Sequence, residues 1–170
     1  MRGRVAIVGP ESTGKSTLAA ALAAHLGTVW VPEYARAYLD RLASPYDAAD
    51  VARIGRGQIA LEDAYAPRTN GLLICDTNLL VVKVWMEHAY GRATPWVLRT
   101  LRERLYDLWV LCGPDVPWTP DPQREHPHLR SHFFEVYDRE LRQMMVPFVV
   151  VRGTPDERTR TVVEVLRGHR

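Results

Sequence analysis

Near the N-terminus the chain reads Gly9-Pro10-Glu11-Ser12-Thr13-Gly14-Lys15-Ser16, flanked by an apolar run from Arg4 to Val8 and an alanine-rich run from Ser16 to Leu26. GxxxxGK[ST] placed between a strand and a helix is a loop built to cradle phosphates. Its glycines let the backbone aim amide N–H groups at the anion, and the helix N-terminus adds a positive end. Lys15 reaches the β and γ oxygens, and the Ser16 hydroxyl is a magnesium ligand. Gly9, Glu11, Ser12, Thr13, Gly14, Lys15, Ser16 and Thr17 are therefore the expected ATP site. Only Lys15 and Lys83 are lysines among the 22 basic residues, so one of the chain's two lysines stands in this motif.

The strand before such a loop must be buried on both faces, which requires a parallel sheet covered by helices. The rest of the sequence supplies one. Strands are expected over Thr28–Val31, Leu72–Cys75, Leu108–Cys112 and Phe148–Val151. Helices are expected over Tyr34–Leu42, Ala48–Tyr65, Leu79–Tyr90, Pro95–Leu105, Leu129–Met145 and Pro155–Arg167, with Gly27 closing the first helix. Gly113 to Pro127, with Pro114, Pro117, Pro120 and Pro122 between them, can only be a loop. The predicted fold class is an α/β P-loop NTPase of the nucleoside-kinase kind: an open parallel five-stranded sheet flanked by helices, with a lid at about residues 113–130. With 170 residues, 46% of them hydrophobic, and no internal repeat, one kinase domain over residues 1–170 is expected. Ligands in such a sheet bind beyond the carboxyl ends of the strands.

A net charge of +2, with 20 acidic residues interspersed among the basic ones, argues against an electrostatic grip on nucleic acid or membrane. The partner expected is a small molecule. Apolar stretches of about ten residues are too short to span a bilayer, and no export signal precedes the first strand, so a cytoplasmic location is expected. Cys75 and Cys112 end apolar runs and read as reduced core thiols.

Candidate chemistry gathers at strand ends. Asp76 follows Leu72-Leu-Ile-Cys75 and is positioned to complete a magnesium shell with Ser16. Glu33 and Arg36 follow the second strand and share one side of a helical turn. Glu33 is the candidate base for a substrate hydroxyl, and Arg36 would steady a phosphate or a charged substrate. The alternative assignment, with Asp76 as base, stays open at this level. Arg124 and Arg130 lie in the proline-rich segment from Pro117 to Arg130, which could close over the transferring phosphoryl group and exclude water. His126, His128 and His132 lie in the same region but need no metal beyond magnesium. Tyr34, Trp85 and Trp118 are among the aromatics available to an acceptor pocket, and Gln58 and Glu62, one turn apart, share a helix side that either faces this pocket or is solvated. No Asn-Lys-x-Asp sequence is present, so a guanine-reading switch is not indicated.

Gly9-Pro-Glu-Ser-Thr-Gly-Lys-Ser-Thr17, Pro32-Glu-Tyr-Ala-Arg36, Gln58 with Glu62, Cys75-Asp-Thr-Asn78, Tyr90-Gly91 with Pro95, Tyr106-Asp107 and Pro117-Trp118 through Arg124 together resemble the ribosylnicotinamide kinase domain of NadR-type proteins. The resemblance spans nearly the whole chain in the same order. It implies ATP-dependent phosphorylation of the 5′ hydroxyl of nicotinamide riboside to nicotinamide mononucleotide, a step of NAD salvage, with ATP and Mg²⁺ as cofactors. Carried onto this sequence, it implies an acceptor site drawn from Glu33, Tyr34, Arg36, Gln58, Asp76, Asn78, Trp85, Trp118 and Asp121. Family members often carry a nucleotidyltransferase domain before the kinase; with Met1 just ahead of the first expected strand, none is expected here. Two positions depart from the family pattern: Asn78 stands where an acid is usual, and Asp121-Pro122 where Asp-Gly is common. Another nucleoside or small-metabolite kinase, or a regulatory nucleotide-binding module without phosphoryl transfer, are the alternatives.

Overall fold

The computed structural model describes residues 3–43 and 45–168. The apolar run after the N-terminus forms β1 (Gly3–Val8), and the phosphate-loop motif leads from it into α1 (Lys15–Leu26). Gly27, at φ 60°, ends α1 in the left-handed conformation that a side chain disfavours. A two-residue β2 (Trp30–Val31) and the helices α2 (Tyr34–Leu39) and α3 (Ala48–Tyr65) follow. Reciprocal hydrogen bonds fix the start of α3: the Asp50 amide donates to Asp47 and the Asp47 amide donates to Asp50. After β3 (Leu72–Asp76), the Asn78 side chain caps α4 (Leu79–Tyr90), and Thr94 caps α5 (Pro95–Glu103). The chain closes with β4 (Leu108–Cys112), α6 (Arg130–Met144), β5 (Phe148–Val151) and α7 (Pro155–Gly168).

All five strands are parallel, in the order β2-β3-β1-β4-β5. The expected doubly covered sheet is thus present, and alternation along each strand feeds two cores. Ala6, Val8, Leu73, Cys75, Trp109 and Leu111 pack under α3 to α6, whereas Val5, Ile7, Leu72, Ile74, Leu108 and Val110 pack under α1 and α7. β1 is central. Its carboxyl end, and so the phosphate loop, lies between the ends of β3 and β4, with Ile7 in register with Asp76 and Val8 with Leu111.

The boundaries differ from expectation by more than one residue in three places. β2 keeps only Trp30 and Val31, since it is an edge strand paired on one side. α2 stops at Leu39, because Arg41 and Leu42 bond three residues back, to Tyr38 and Leu39, and tighten the chain into a turn. α5 stops at Glu103: Arg104 leaves helical geometry and sends its guanidinium to Glu62 and Asp63. Among the described residues no helix is long and apolar enough to cross a membrane.

Candidate functional site

The loop from Gly9 to Ser16 is shaped by backbone that only certain residues tolerate. Gly9 sits at φ 138°, and a Cβ there would meet the Cys112 carbonyl at 2.8 Å, so β4 leaves no room for any side chain. Gly14 precedes α1 at φ 77°, and Ser12 holds φ 53°. The buried Thr13 hydroxyl donates to the Pro10 carbonyl at 2.7 Å, bracing the loop from inside. Lys15 Nζ donates to the same carbonyl at 2.8 Å, which folds the ammonium over the hollow of the loop, where arriving phosphate oxygens would compete for it.

A second brace comes from the far end of the sequence. Arg158, 2% exposed on α7, donates Nη1 to the Thr13 carbonyl at 2.6 Å, Nε to the Gly153 carbonyl at 2.9 Å and Nη2 to Asp115 at 3.0 Å. The planar guanidinium thereby fastens the loop to the segments that follow β4 and β5. Asp115 is itself held by the Gly153 amide, and its carboxyl is kept below the usual range by that bond and by Arg158, against the opposing effect of burial.

Beside the loop, Asp76 ends β3 and is 1% exposed. Burial pushes its carboxyl up to about 6; the neighbouring Glu33 carboxylate adds to this, while Ser16, Lys15 and Arg36 oppose it. Its Oδ1 is buried without a hydrogen-bond partner, although the Ser16 hydroxyl lies against the same carboxylate. An orphaned carboxylate oxygen next to a hydroxyl, at the edge of a phosphate loop, fits a hard divalent cation that takes its remaining ligands from phosphate and water. Among the described residues no group of three or more His, Cys, Asp and Glu side chains forms a self-sufficient metal cage. Glu33 stands at the N-terminal end of α2 without capping it, and its side chain lines the cleft.

The cleft encloses about 370 Å³ and runs from the phosphate loop past Glu33 and Arg36 to a wall containing Tyr46, Trp85, His88, Phe133 and Tyr137. Tyr46 and Trp85 meet edge-to-face at 4.9 Å, and Trp85 Nε1 donates to the Tyr46 hydroxyl, which in turn bonds Glu125. Burial raises the Tyr46 hydroxyl to about 12 and raises that of Tyr137 further, so both are neutral. The segment after β4 covers one side, with Gln123, Arg124, Glu125 and His126 in the lining. His126 packs at 4.9 Å against His88, which also meets Phe133.

The structure thus brings together the phosphate loop, Glu33, Arg36, Trp85 and Arg124 around one cavity, while Asp76 is buried beside Ser16 and is not itself in the lining. Other expected site residues lie elsewhere. Gln58 is buried and accepts from the Tyr34 amide at 2.8 Å, so it and Tyr34 hold the turn between β2 and α2. Glu62, fully buried, binds Arg104 at 2.8 Å and the Tyr106 hydroxyl, so it faces neither the pocket nor solvent. Asn78 is the buried cap of α4. Trp118 lies under the Arg130 guanidinium at 5.7 Å, outside the lining, and Arg130 itself donates to the Ser12 and Val116 carbonyls. Asp121 pairs with Arg36 at 2.8 Å and likewise lies outside the lining. Sequence reasoning missed Tyr46, His88, Phe133, Tyr137 and Arg158. Phe133 and Tyr137 are four apart on α6, a signal that a core-facing stripe produces equally well.

Residues 4–158 match the model of a family described as an AAA domain. The fold and phosphate loop define a P-loop nucleotide-binding domain, and the chain belongs to this AAA-domain family. Its sequence is similar to the trifunctional NAD biosynthesis/regulator protein NadR of Escherichia coli (strain K12), at 30% identity over 148 residues, or 84% of this chain and 34% of that protein. The chain therefore spans about a third of that relative. Two solved structures of NadR share its fold. One, in complex with NR, superposes with a TM-score of 0.84 at 23% identity, covering 98% of this chain and 51% of that one. The other, in complex with NAD and AMP-PNP, gives 0.83 at 22% identity, covering 98% and 49%.

Proposed function

We propose that this chain is a kinase that transfers the γ-phosphoryl group of ATP to the 5′ hydroxyl of nicotinamide riboside, forming nicotinamide mononucleotide. The observation that carries the reading is the shared cleft: the phosphate loop and Glu33 face the same cavity, whose wall includes the aromatic side chains of Tyr46, Trp85, Phe133 and Tyr137. A phosphoryl donor and a hydroxyl acceptor can meet only in such a space. The likeness to NadR, and the NR and AMP-PNP bound in solved NadR structures, support the choice of substrates.

In this mechanism the loop amides and Lys15 hold the β- and γ-phosphates, with Lys15 exchanging the Pro10 carbonyl for phosphate oxygen. Ser16 and Asp76 would hold Mg²⁺, which when bound neutralises phosphate charge. Glu33 orients the acceptor hydroxyl and takes its proton as the P–O bond forms. Arg124, already over the Ser12 hydroxyl, supplies positive charge to the equatorial oxygens as the bond to the leaving phosphate lengthens. Trp85 and Tyr46 offer electron-rich faces, and Glu125 a carboxylate, to the cationic pyridinium ring. Asn78 is not itself in the cleft lining; it caps α4, the helix that carries Trp85 and His88 to the wall, so its departure from the family pattern bears on the acceptor site through that helix and not by direct contact.

The test is a phosphorylation screen with purified protein, magnesium-ATP and a panel of nucleosides. Nicotinamide riboside is expected to outrank uridine, cytidine and deoxynucleosides. Equal or faster turnover of an ordinary nucleoside overturns the substrate assignment, and acceptor-independent behaviour across the panel overturns the kinase.

A further inference from the structure

We infer that Glu11 and Ser12, at the crown of the phosphate loop, are positioning residues that dock the segment between β4 and α6, so that filling the loop and placing Arg124 become one event. Phosphate is bound by a loop of this type through its amides and lysine, which leaves the Glu11 and Ser12 side chains with no necessary part in holding it. Both are engaged with residues more than a hundred positions away. One Glu11 carboxylate oxygen, Oε2, accepts the backbone N–H of Glu125 at 3.0 Å and of His126 at 3.2 Å. The Ser12 hydroxyl accepts the N–H of Thr119 at 2.9 Å and Arg124 Nη1 at 3.3 Å. Arg124 also donates to the Thr119 carbonyl, and Arg130 ties the Ser12 carbonyl to that of Val116.

Two features make this docking more than a chance surface contact. Ser12 is held at φ 53°, an unfavourable conformation for a residue with a Cβ, and in it the hydroxyl meets the segment. The segment's opposite edge is fastened to α2: Asp121 pairs with Arg36, and Gln123 donates to Asp40 and to the Arg36 carbonyl. Glu33, the acceptor-side carboxylate, immediately precedes α2. One segment therefore bridges the donor loop and the acceptor helix, and the three backbone N–H groups that hold it to the loop all end on Glu11 or Ser12 side chains. A shift of the Glu11–Ser12 crown as phosphate enters moves Glu125, held by Glu11, together with Thr119 and Arg124, held by Ser12. The consequence for turnover rests on the kinase reading above; the docking itself does not.

Amide hydrogen exchange on the full chain, free of nucleotide, separates the two. In Glu11→Ala, the Glu125 and His126 amides are expected to exchange about tenfold faster, as loss of roughly one hydrogen bond's free energy implies. The Thr119 amide is expected to follow them, although its own acceptor, Ser12, is untouched. Ser12→Ala should show the converse, with faster exchange at Thr119 accompanied by Glu125 and His126. In Glu11→Gln the remaining carbonyl oxygen should restore part of the protection. Under saturating substrates kcat should fall in the same order as protection is lost. Acceleration confined to the amides whose acceptor was removed, or no acceleration, overturns the inference. Concerted acceleration in a chain that phosphorylates no nucleoside would uphold it while the kinase reading falls. Normal turnover in Glu11→Ala with unchanged exchange would do the reverse.

Discussion

Arg158 and Thr13 are 145 residues apart in sequence, and the guanidinium of one donates to the carbonyl of the other at 2.6 Å, inside the protein. The last helix thereby holds the shape of the first loop. Arg158→Ala would leave the Thr13 and Gly153 carbonyls without this donor and Asp115 without its cation, costing about 3 kcal/mol or more. At the 2–4 °C per kcal/mol usual for a chain of this size, the midpoint of thermal unfolding should drop by about 6 °C or more. The KM for ATP should rise about tenfold, because the misplaced loop is the phosphate site. Unchanged melting together with unchanged KM would remove Arg158 from this role.

Lys15 makes a different prediction, since its ammonium holds only a loop carbonyl until phosphate arrives. Lys15→Ala should lower kcat by about 10²-fold or more through lost charge stabilisation. Thermal unfolding should stay within about 2 °C of wild type, because an exchangeable contact to one carbonyl carries little stability. Near-normal turnover in this variant would refute the phosphate-loop assignment.

The two carboxylates should separate in a magnesium titration. Glu33→Gln is expected to depress kcat by about 10²- to 10⁴-fold at every magnesium concentration, the usual contribution of a positioned general base. Asp76→Asn should instead weaken the magnesium dependence and be partly restored at high magnesium, because its buried, unpartnered Oδ1 lies beside Ser16 and away from the cleft wall. A Glu33→Gln enzyme within threefold of wild type would transfer the base role to Asp76.

Of the two arginines expected over the phosphates, only Arg124 lines the cleft; Arg130 is turned to backbone carbonyls. Arg124→Ala should therefore cost about 10- to 100-fold in kcat while the KM for ATP changes little, as an interaction formed chiefly in the transition state does. Steady-state kinetics of Arg124→Ala and Arg130→Ala decide between them: a larger kcat loss in Arg130→Ala would reverse the assignment.

Glu62 should behave as a structural residue. Glu62→Leu leaves the buried Tyr106 hydroxyl without its acceptor and Arg104 with Asp63 as its remaining carboxylate, and should cost about 3 kcal/mol, with KM for both substrates unchanged. Burial raises the Glu62 carboxyl from the ordinary 4.5, against Arg104 and Tyr106, so the folded state holds this proton more tightly than the unfolded chain. Stability relative to Glu62→Gln should accordingly increase as pH falls through the raised value toward 4.5, and be lost again as pH rises. Chemical denaturation of the pair at pH 7 and pH 5 measures it; a difference that shrinks on acidification would contradict the burial argument.

Local features determined a large part of this protein. Apolar runs of four or five residues, too short for core helices, marked the strands of a helix-covered sheet. Hydrophobic periodicity and the stop at Gly27 placed helix ends to within a few residues, and the GxxxxGKS spacing located the phosphate loop. These signals act over a turn or two of chain, so they are legible without the fold. What the fold alone decided is which faces meet. Gln58 and Glu62 are one helical turn apart, as a pocket-facing pair would be, yet the strand order places α3 so that both are buried. One supports the β2–α2 turn and the other holds Tyr106 before β4. The cavity wall of Tyr46, Trp85, His88 and Phe133 collects side chains from three separate stretches, and the bonds from Arg158 to Thr13 and from Glu11 to the backbone of Glu125 span more than a hundred residues. No periodicity records such pairs, because they exist only once β1 lies between β3 and β4 and brings the loops that follow those strands to one edge of the sheet.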